Sequence, residues 1–188
     1  MTTVQAETTT PTGTSIPTGI WRSDAVHSEV GFAVKHMVVA TFRGTFADFD
    51  VTLSNQDGEP RLYGAVRADS VQVADENLNG HLLSPDFFDT ERYPEITFTS
   101  TGIRTHDGDL VVEGDLTIKG TTKRVEARGQ IRGPGADLAG GERIGIDLEV
   151  PVDRTEFGLN WNAPVPSGGV AVENQVTLTV HLELAREE

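Results

Sequence analysis

At 188 residues the chain has the length of one domain, and a chain of this size can bury roughly 70% of its unfolded surface without covalent help. It has no cysteine, which excludes disulfides, thiol catalysis and thiolate metal sites. A net charge of −14 disfavours nonspecific nucleic-acid binding, and no apolar run approaches the roughly 18 residues that a membrane-spanning helix needs.

The first nineteen residues are rich in Thr and Pro and lack the basic start and apolar stretch of a secretory signal. They predict a disordered tail over 1–19, a single domain over 20–188 and a cytoplasmic protein. From Ile20 the dominant period is two. Val26, Ser28, Val30, Phe32 and Val34 share one strand face, against His27, Glu29, Ala33 and Lys35. After Met37-Val38-Val39-Ala40 the apolar positions are Phe42, Gly44 and Phe46, then Phe49, Val51 and Leu53. That one-residue change of parity predicts a β-bulge near Ala47-Asp48. Asn55-Gln56-Asp57-Gly58 is a turn cluster, and Arg61 to Val73 reads as a strand pair or one bent strand.

Asp75 to Leu83 predicts a short helix, with Asp75 as cap and Leu78 and Leu82 four apart. Ser84-Pro85-Asp86 carries a second helix-start signature. Phe87-Phe88 then put two large rings on a very short element, an apolar cap for the edge of a sheet. Asp86 has cap duty in this reading, while Asp89 and Glu91 are expected to face water. Tyr93-Pro94 ends the helical stretch, and a strand opens at Glu95.

Alternation is then regular. Leu110 to Ile118, Val125 to Ile131, Ile144 to Val150 and Val176 to Leu184 each place apolar side chains on one face. Asp107-Gly108 and Lys119-Gly120 mark tight connections. Gly133-Pro134-Gly135-Ala136-Asp137-Leu138 reads as a loop between antiparallel strands. Strands with one wet face, joined by short turns, predict an all-β fold. Their number and length favour an extended eight-stranded antiparallel β-barrel with one or two short helices over an open sheet with exposed edges. At ~3.3 Å per residue and a tilt of ~40°, such a barrel stands roughly 25 Å tall, and its interior either fills with side chains or holds one ligand.

Chemistry-bearing motifs are sparse. The five histidines have no metal-ligand spacing and read as hydrogen-bonded or surface residues. No Walker A or GxSxG sequence occurs. The stretch from Arg154 to Gly169, with Phe157 and Trp161, is long for a barrel connection. It is either a functional loop or a plug for the barrel end.

Taken in order, several short stretches resemble the YceI-like family, lipocalin-like proteins associated with polyisoprenoid and other lipid binding. They are Trp21-x-x-Asp24-x-x-His27-Ser28-x-Val30-x-Phe32 with His36, then Arg43-Gly44-x-Phe46, then His81-Leu82-x-Ser84-x-Asp86-Phe87-Phe88. Tyr93-Pro94-x-Ile96-x-Phe98, Gly114-Asp115-Leu116-Thr117-Ile118-x-Gly120 and Phe157-Gly158 complete them. One departure stands out. The family often carries an Arg-Asp pair just before the histidine equivalent to His81 and a basic residue two beyond it; here those positions are Leu78, Asn79 and Leu83. Charges that could hold a phosphorylated head group are therefore missing.

The resemblance implies a lipocalin-like barrel with a lipid-filled interior, binding a long-chain isoprenoid or similar lipid for carriage, storage or sequestration. Phe32, Val34, Phe42, Phe46, Phe98, Leu116, Ile118 and Leu148 would line it. Phe87, Phe88, Phe157 and Trp161 would gate an end, and His36 or Arg43 would meet a head group. No cofactor, metal or catalytic residue is expected. The alternatives are an enzyme acting on a prenyl or acyl substrate and a packed interaction domain; homodimerisation and transient membrane contact stay open.

Overall fold

The computed structural model describes residues 15–166 and 168–188. The first fourteen residues of the expected tail therefore lie outside the described residues. Of the remaining five, Ile16 packs against the core and Gly19 already begins a strand.

Eleven antiparallel strands among the described residues form one sheet: β1 (Gly19–Ser23), β2 (Glu29–His36), β3 (Ala40–Phe46), β4 (Phe49–Asn55), β5 (Arg61–Arg67), β6 (Val71–Gln72), β7 (Glu95–His106), β8 (Asp109–Ile118), β9 (Thr121–Ala136), β10 (Glu142–Asp153) and β11 (Val172–Arg186). β11 pairs with β10 along one edge and with β2 and β1 along the other, so the sheet closes. Six of the strands are three bent staves: β1 with β2, β3 with β4, and β5 with β6. The bend in each falls at one level, where β3 pairs with β2 and β6 while β4 pairs with β1 and β5. The result is an eight-stave antiparallel barrel, as the alternation predicts.

The expected slip at Ala47-Asp48 is a corner rather than a bulge, since the strand stops and restarts there. A 3₁₀ turn on the neighbouring stave, Ala68–Ser70, takes up the loose backbone groups. Ala47 N–H donates to the Ser70 carbonyl at 3.1 Å and Asp48 N–H to Ser70 Oγ at 3.0 Å. Pairing moves from Phe46 with Val71 to Phe49 with Val66, a shift that keeps apolar residues inward on both sides of the corner. Val26 does not belong to the inward face of β2. It sits in the turn before that strand and is exposed, because Asp24 and His27 close the turn by hydrogen bonds. Gly133 to Ala136 likewise continue β9, and the turn comes later, where the Asp137 carboxylate accepts from Ala139 and Gly141 N–H.

The single α-helix of the described residues, α1 (Glu76–Leu83), has the predicted cap: Asp75 Oδ1 accepts from Leu78 N–H at 2.8 Å. The second helix start does not form. Ser84 instead closes α1, its Oγ donating to the His81 carbonyl at 2.7 Å, and the chain turns through Phe87 and Phe88. Asp86 consequently caps no helix. Asp89 is buried, with φ of 51° and its carboxylate accepting from Arg92, because Phe88 beside it is drawn into the core. Asp107-Gly108 and Lys119-Gly120 both form hairpin turns with positive φ at each residue, as their composition requires.

Candidate functional site

The interior is unequal along its axis. One end is filled by Trp21, Leu53, Leu110, Val112, Ile131, Ile144, Ile146 and Leu184, all essentially inaccessible. Towards the other end the lumen opens into a cavity of about 490 Å³, a size typical of small-molecule sites. Two glycines help to keep it open. The Phe32 ring lies over Gly44 on the paired strand, where an added Cβ would come within 2.5 Å of its Cζ. Phe98 covers Gly114 in the same way at 2.4 Å. Each ring thus lies along the wall instead of projecting across the lumen.

Thirteen of the sequence-predicted residues line this cavity: Phe32, Val34, His36, Phe42, Phe46, Phe87, Phe88, Phe98, Leu116, Ile118, Leu148, Phe157 and Trp161. Arg43 does not. It lies between Phe42 and Gly44, and on a pleated strand that parity turns it to the exposed outer face, so it cannot meet a head group inside the barrel.

Two aromatic clusters shape the cavity end. Phe88 meets Phe32 and Phe46 edge-on, at centroid separations of 6.3 and 5.7 Å, and so fixes the turn after α1 to the wall formed by β2 and β3. His81 lies edge-on to both Phe87 and Trp161, at 5.0 and 4.9 Å, joining α1 to the loop after β10. Its Nε2 pairs with the Asp86 carboxylate at 2.8 Å.

That loop both lines the cavity and closes it, since Phe157, Leu159, Trp161, Ala163 and Ala171 all belong to the wall. Its shape depends on Arg154, which sequence reasoning passed over. The buried guanidinium donates to four carbonyls: Glu173 at 2.9 Å, Leu159 at 2.6 Å, Trp161 at 2.9 Å and Val172 at 3.2 Å. Burial pulls its pKa below the ordinary arginine value. Lys119, on the β8–β9 turn, adds a second tie through the carbonyls of Pro85 (2.6 Å) and Gly158 (3.3 Å). Only the turn signature at Lys119 was visible in the sequence; no local pattern marks Arg154. Further wall residues, such as Val176, Leu178 and Val180, belong to the inward face that alternation identifies on the last strand.

Among the described residues, the polar side chains lining the cavity are few: His36, His81, Thr97 and Arg154. Arg154 is committed to backbone carbonyls and His81 to Asp86. The departure from the family pattern falls here too. Leu78 faces the cavity, Leu83 packs against the core, and Asn79 Oδ1 is buried without a partner. Met37 lines the cavity and is also 46% exposed, so the cavity meets solvent at the β2–β3 turn. Elsewhere, Asp24, His27 and Glu183 stand close enough to share a cation. Arg143 already supplies the positive charge there, with Nη1 at 3.1 Å from Asp24 and 3.7 Å from Glu183.

No helix among the described residues is long and apolar enough to cross a membrane. The family model described as the YceI-like domain matches residues 21–184. Protein YceI of Escherichia coli (strain UMN026) is 34% identical over 136 residues, which cover 71% of each chain. Among solved structures, BcnA of Burkholderia cenocepacia superposes with a TM-score of 0.73 at 24% identity, covering 86% of this chain and 98% of its own. A protein of Saccharophagus degradans, described as a polyisoprenoid binding domain implicated in plant cell wall breakdown, gives a TM-score of 0.67 at 15% identity. It covers 89% of this chain and 98% of its own.

Proposed function

The chain belongs to the YceI-like domain family, and on that footing we propose that it binds a long isoprenoid or similar lipid chain in the hollow end of its barrel, for carriage, storage or sequestration. The observation that carries this reading is the cavity itself: about 490 Å³, walled almost wholly by apolar side chains and open to solvent at one end. The Saccharophagus degradans neighbour supports the choice of a polyisoprenoid.

Water in such a cavity would find almost no hydrogen-bond partners, whereas each methylene placed there contributes about 0.8 kcal/mol. Ordering a flexible chain offsets much of that gain. Apolar walls measure girth and length, so affinity for a chain is high and discrimination among chains is low. In this reading Phe32, Val34, Phe42, Phe46, Phe98, Leu116, Ile118 and Leu148 sheathe the chain. Phe87, Phe88, Phe157 and Trp161 close over it, and His36, next to Met37 at the rim, meets the head group. Among the described wall residues, His81 is engaged by Asp86 and Arg154 by backbone carbonyls, which favours a carrier over an enzyme.

Native mass spectrometry of gently purified full-length protein tests the reading. A hydrophobic adduct should be present and should leave on solvent extraction. Reloading the stripped protein with a polyprenol, at a free concentration one hundred times Kd, should raise Tm by roughly 5–10 °C. Protein that carries no adduct and takes up neither a polyprenol nor a fatty acyl chain would overturn the proposal.

A further inference from the structure

The cavity mouth has a feature that ligand binding alone does not explain. Of the seven large hydrophobic residues that are well exposed among the described residues, four gather there: Met37 at 46%, Val38 at 63%, Val39 at 87% and Val170 at 38%. Met37 to Val39 form the tip of the β2–β3 hairpin, and Val170 belongs to the adjacent loop, which closes on itself by a bridge between Pro164 and Val170. Met37 N–H donates to the Ala171 carbonyl at 2.9 Å, so tip and loop form one surface.

The tip is also strained. Met37 and Val38 have φ of 48° and 67°, a region that β-branched residues rarely enter. Asparagine or glycine would suit such a turn better. The backbone strain is thus retained together with two exposed apolar side chains, a combination typical of functional surfaces.

Charge separates this surface from the rest of the molecule. The chain as a whole is strongly acidic, yet no Asp or Glu occurs from Val30 to Ala47, its longest stretch without a carboxylate, nor from Phe157 to Val172. The first of these stretches carries Lys35 and Arg43 on the outer face of the hairpin. Lys35 Nζ donates to Thr41 Oγ1 at 3.0 Å, and neither cation is in an ion pair among the described residues.

We propose that the β2–β3 tip, with the loop around Val170, docks on a lipid bilayer: Val38 and Val39 enter the acyl boundary while Lys35 and Arg43 pair with headgroup phosphates. Apolar insertion flanked by cations is the usual chemistry of interfacial binding. The proposal rests on the lipid-binding reading and adds the route. Each methylene that enters water raises the barrier to leaving a bilayer, so a mouth seated on the membrane lets a chain enter without crossing water.

The test uses the full chain and vesicles of phosphatidylcholine with a minority of phosphatidylglycerol, carrying a fluorescent polyprenol. Wild type should float with the vesicles and take up the polyprenol. V38D/V39D should lose about tenfold in both flotation and uptake rate, while loading from detergent micelles stays at the wild-type level. V38N/V39N serves as a second variant that adds no charge. It should raise Tm, because Asn tolerates the left-handed conformation of residue 38, and yet weaken flotation. Wild type that ignores vesicles, or variants that take up polyprenol from vesicles as fast as wild type, would overturn docking. So would light scattering that shows a wild-type dimer which V38D/V39D turns into a monomer. Failure to load from micelles would instead sink the lipid-binding reading beneath it.

Discussion

The two ends of the barrel interior are built by the same strands and behave as opposites. On β10, Ile144 and Ile146 are packed solid while Leu148, Val150 and Val152 face a cavity. On β8 the division falls between Val112 and Leu116, and on β11 between Leu184 and Leu182. Hydrophobic content does not separate the ends, since both are walled by Leu, Ile, Val and aromatic side chains. What differs is whether something crosses the lumen. At the packed end Trp21 and branched side chains from several staves interdigitate. At the hollow end Phe32 and Phe98 lie over glycines, and the roof comes from α1 and the Arg154 loop. A barrel can therefore concentrate its packing at one end and keep room for a ligand at the other.

Paired truncations give the largest expected effect. Leu184→Ala at the packed end should destabilise by about 4–5 kcal/mol in denaturant unfolding, near the top of the range for buried leucines. Leu148→Ala should cost about 2–3 kcal/mol, because a side chain facing an empty lumen has fewer contacts to lose. Bound polyprenol should narrow that gap. Equal costs in stripped protein would mean that the cavity is effectively filled.

Enlargement should reverse the asymmetry. Ile146→Phe should overpack and cost about 1–3 kcal/mol. Val150→Phe should fold with little loss and reduce the amount of polyprenol bound, read by fluorescence titration. Arg154→Met isolates the roof: it leaves four carbonyls short of a donor and should cost about 1–3 kcal/mol. Hydrogen exchange should then rise in the loop of residues 158–172, with no change at the packed end.

Acid should act through carboxylates that their partners keep ionised, two of which, Asp24 and Asp137, share Arg143. His27, Val26 N–H and Arg143 hold the Asp24 carboxyl below the usual carboxylate range, and Arg143 with the Gly141 and Ala139 N–H groups does the same for Asp137. Stability from such depressed groups is present above their unfolded pKa, about 4, and is lost as pH falls through the lower folded values. Tm should therefore fall below about pH 4, and Arg143→Met should flatten that dependence.

Much of this architecture was legible one strand at a time. Period-two alternation identified the inward faces, and Asp-Gly and Lys-Gly identified the hairpins. Asp75 marked its helix correctly because capping is a local hydrogen bond. Ser84-Pro85-Asp86 carried an equally good local signal, but burying Phe87 and Phe88 against the barrel turned the chain there instead. The resemblance points to Arg43 as a head-group contact, although its own parity on the strand puts it outside. Arg154 left no trace in the sequence, because its partners are backbone carbonyls supplied by residues of any type.

The sequence by itself determined that the chain closes into a barrel with a continuous apolar interior, since strand periodicity is a short-range property that decides in from out. It could not determine which part of that interior is empty. Leu178, Val180, Leu182 and Leu184 alternate identically along β11, yet the last is packed solid and the others face the cavity. Only the tertiary structure decided this, because a void is set by what the opposite wall projects at the same height, and that is a relation among strands distant in sequence.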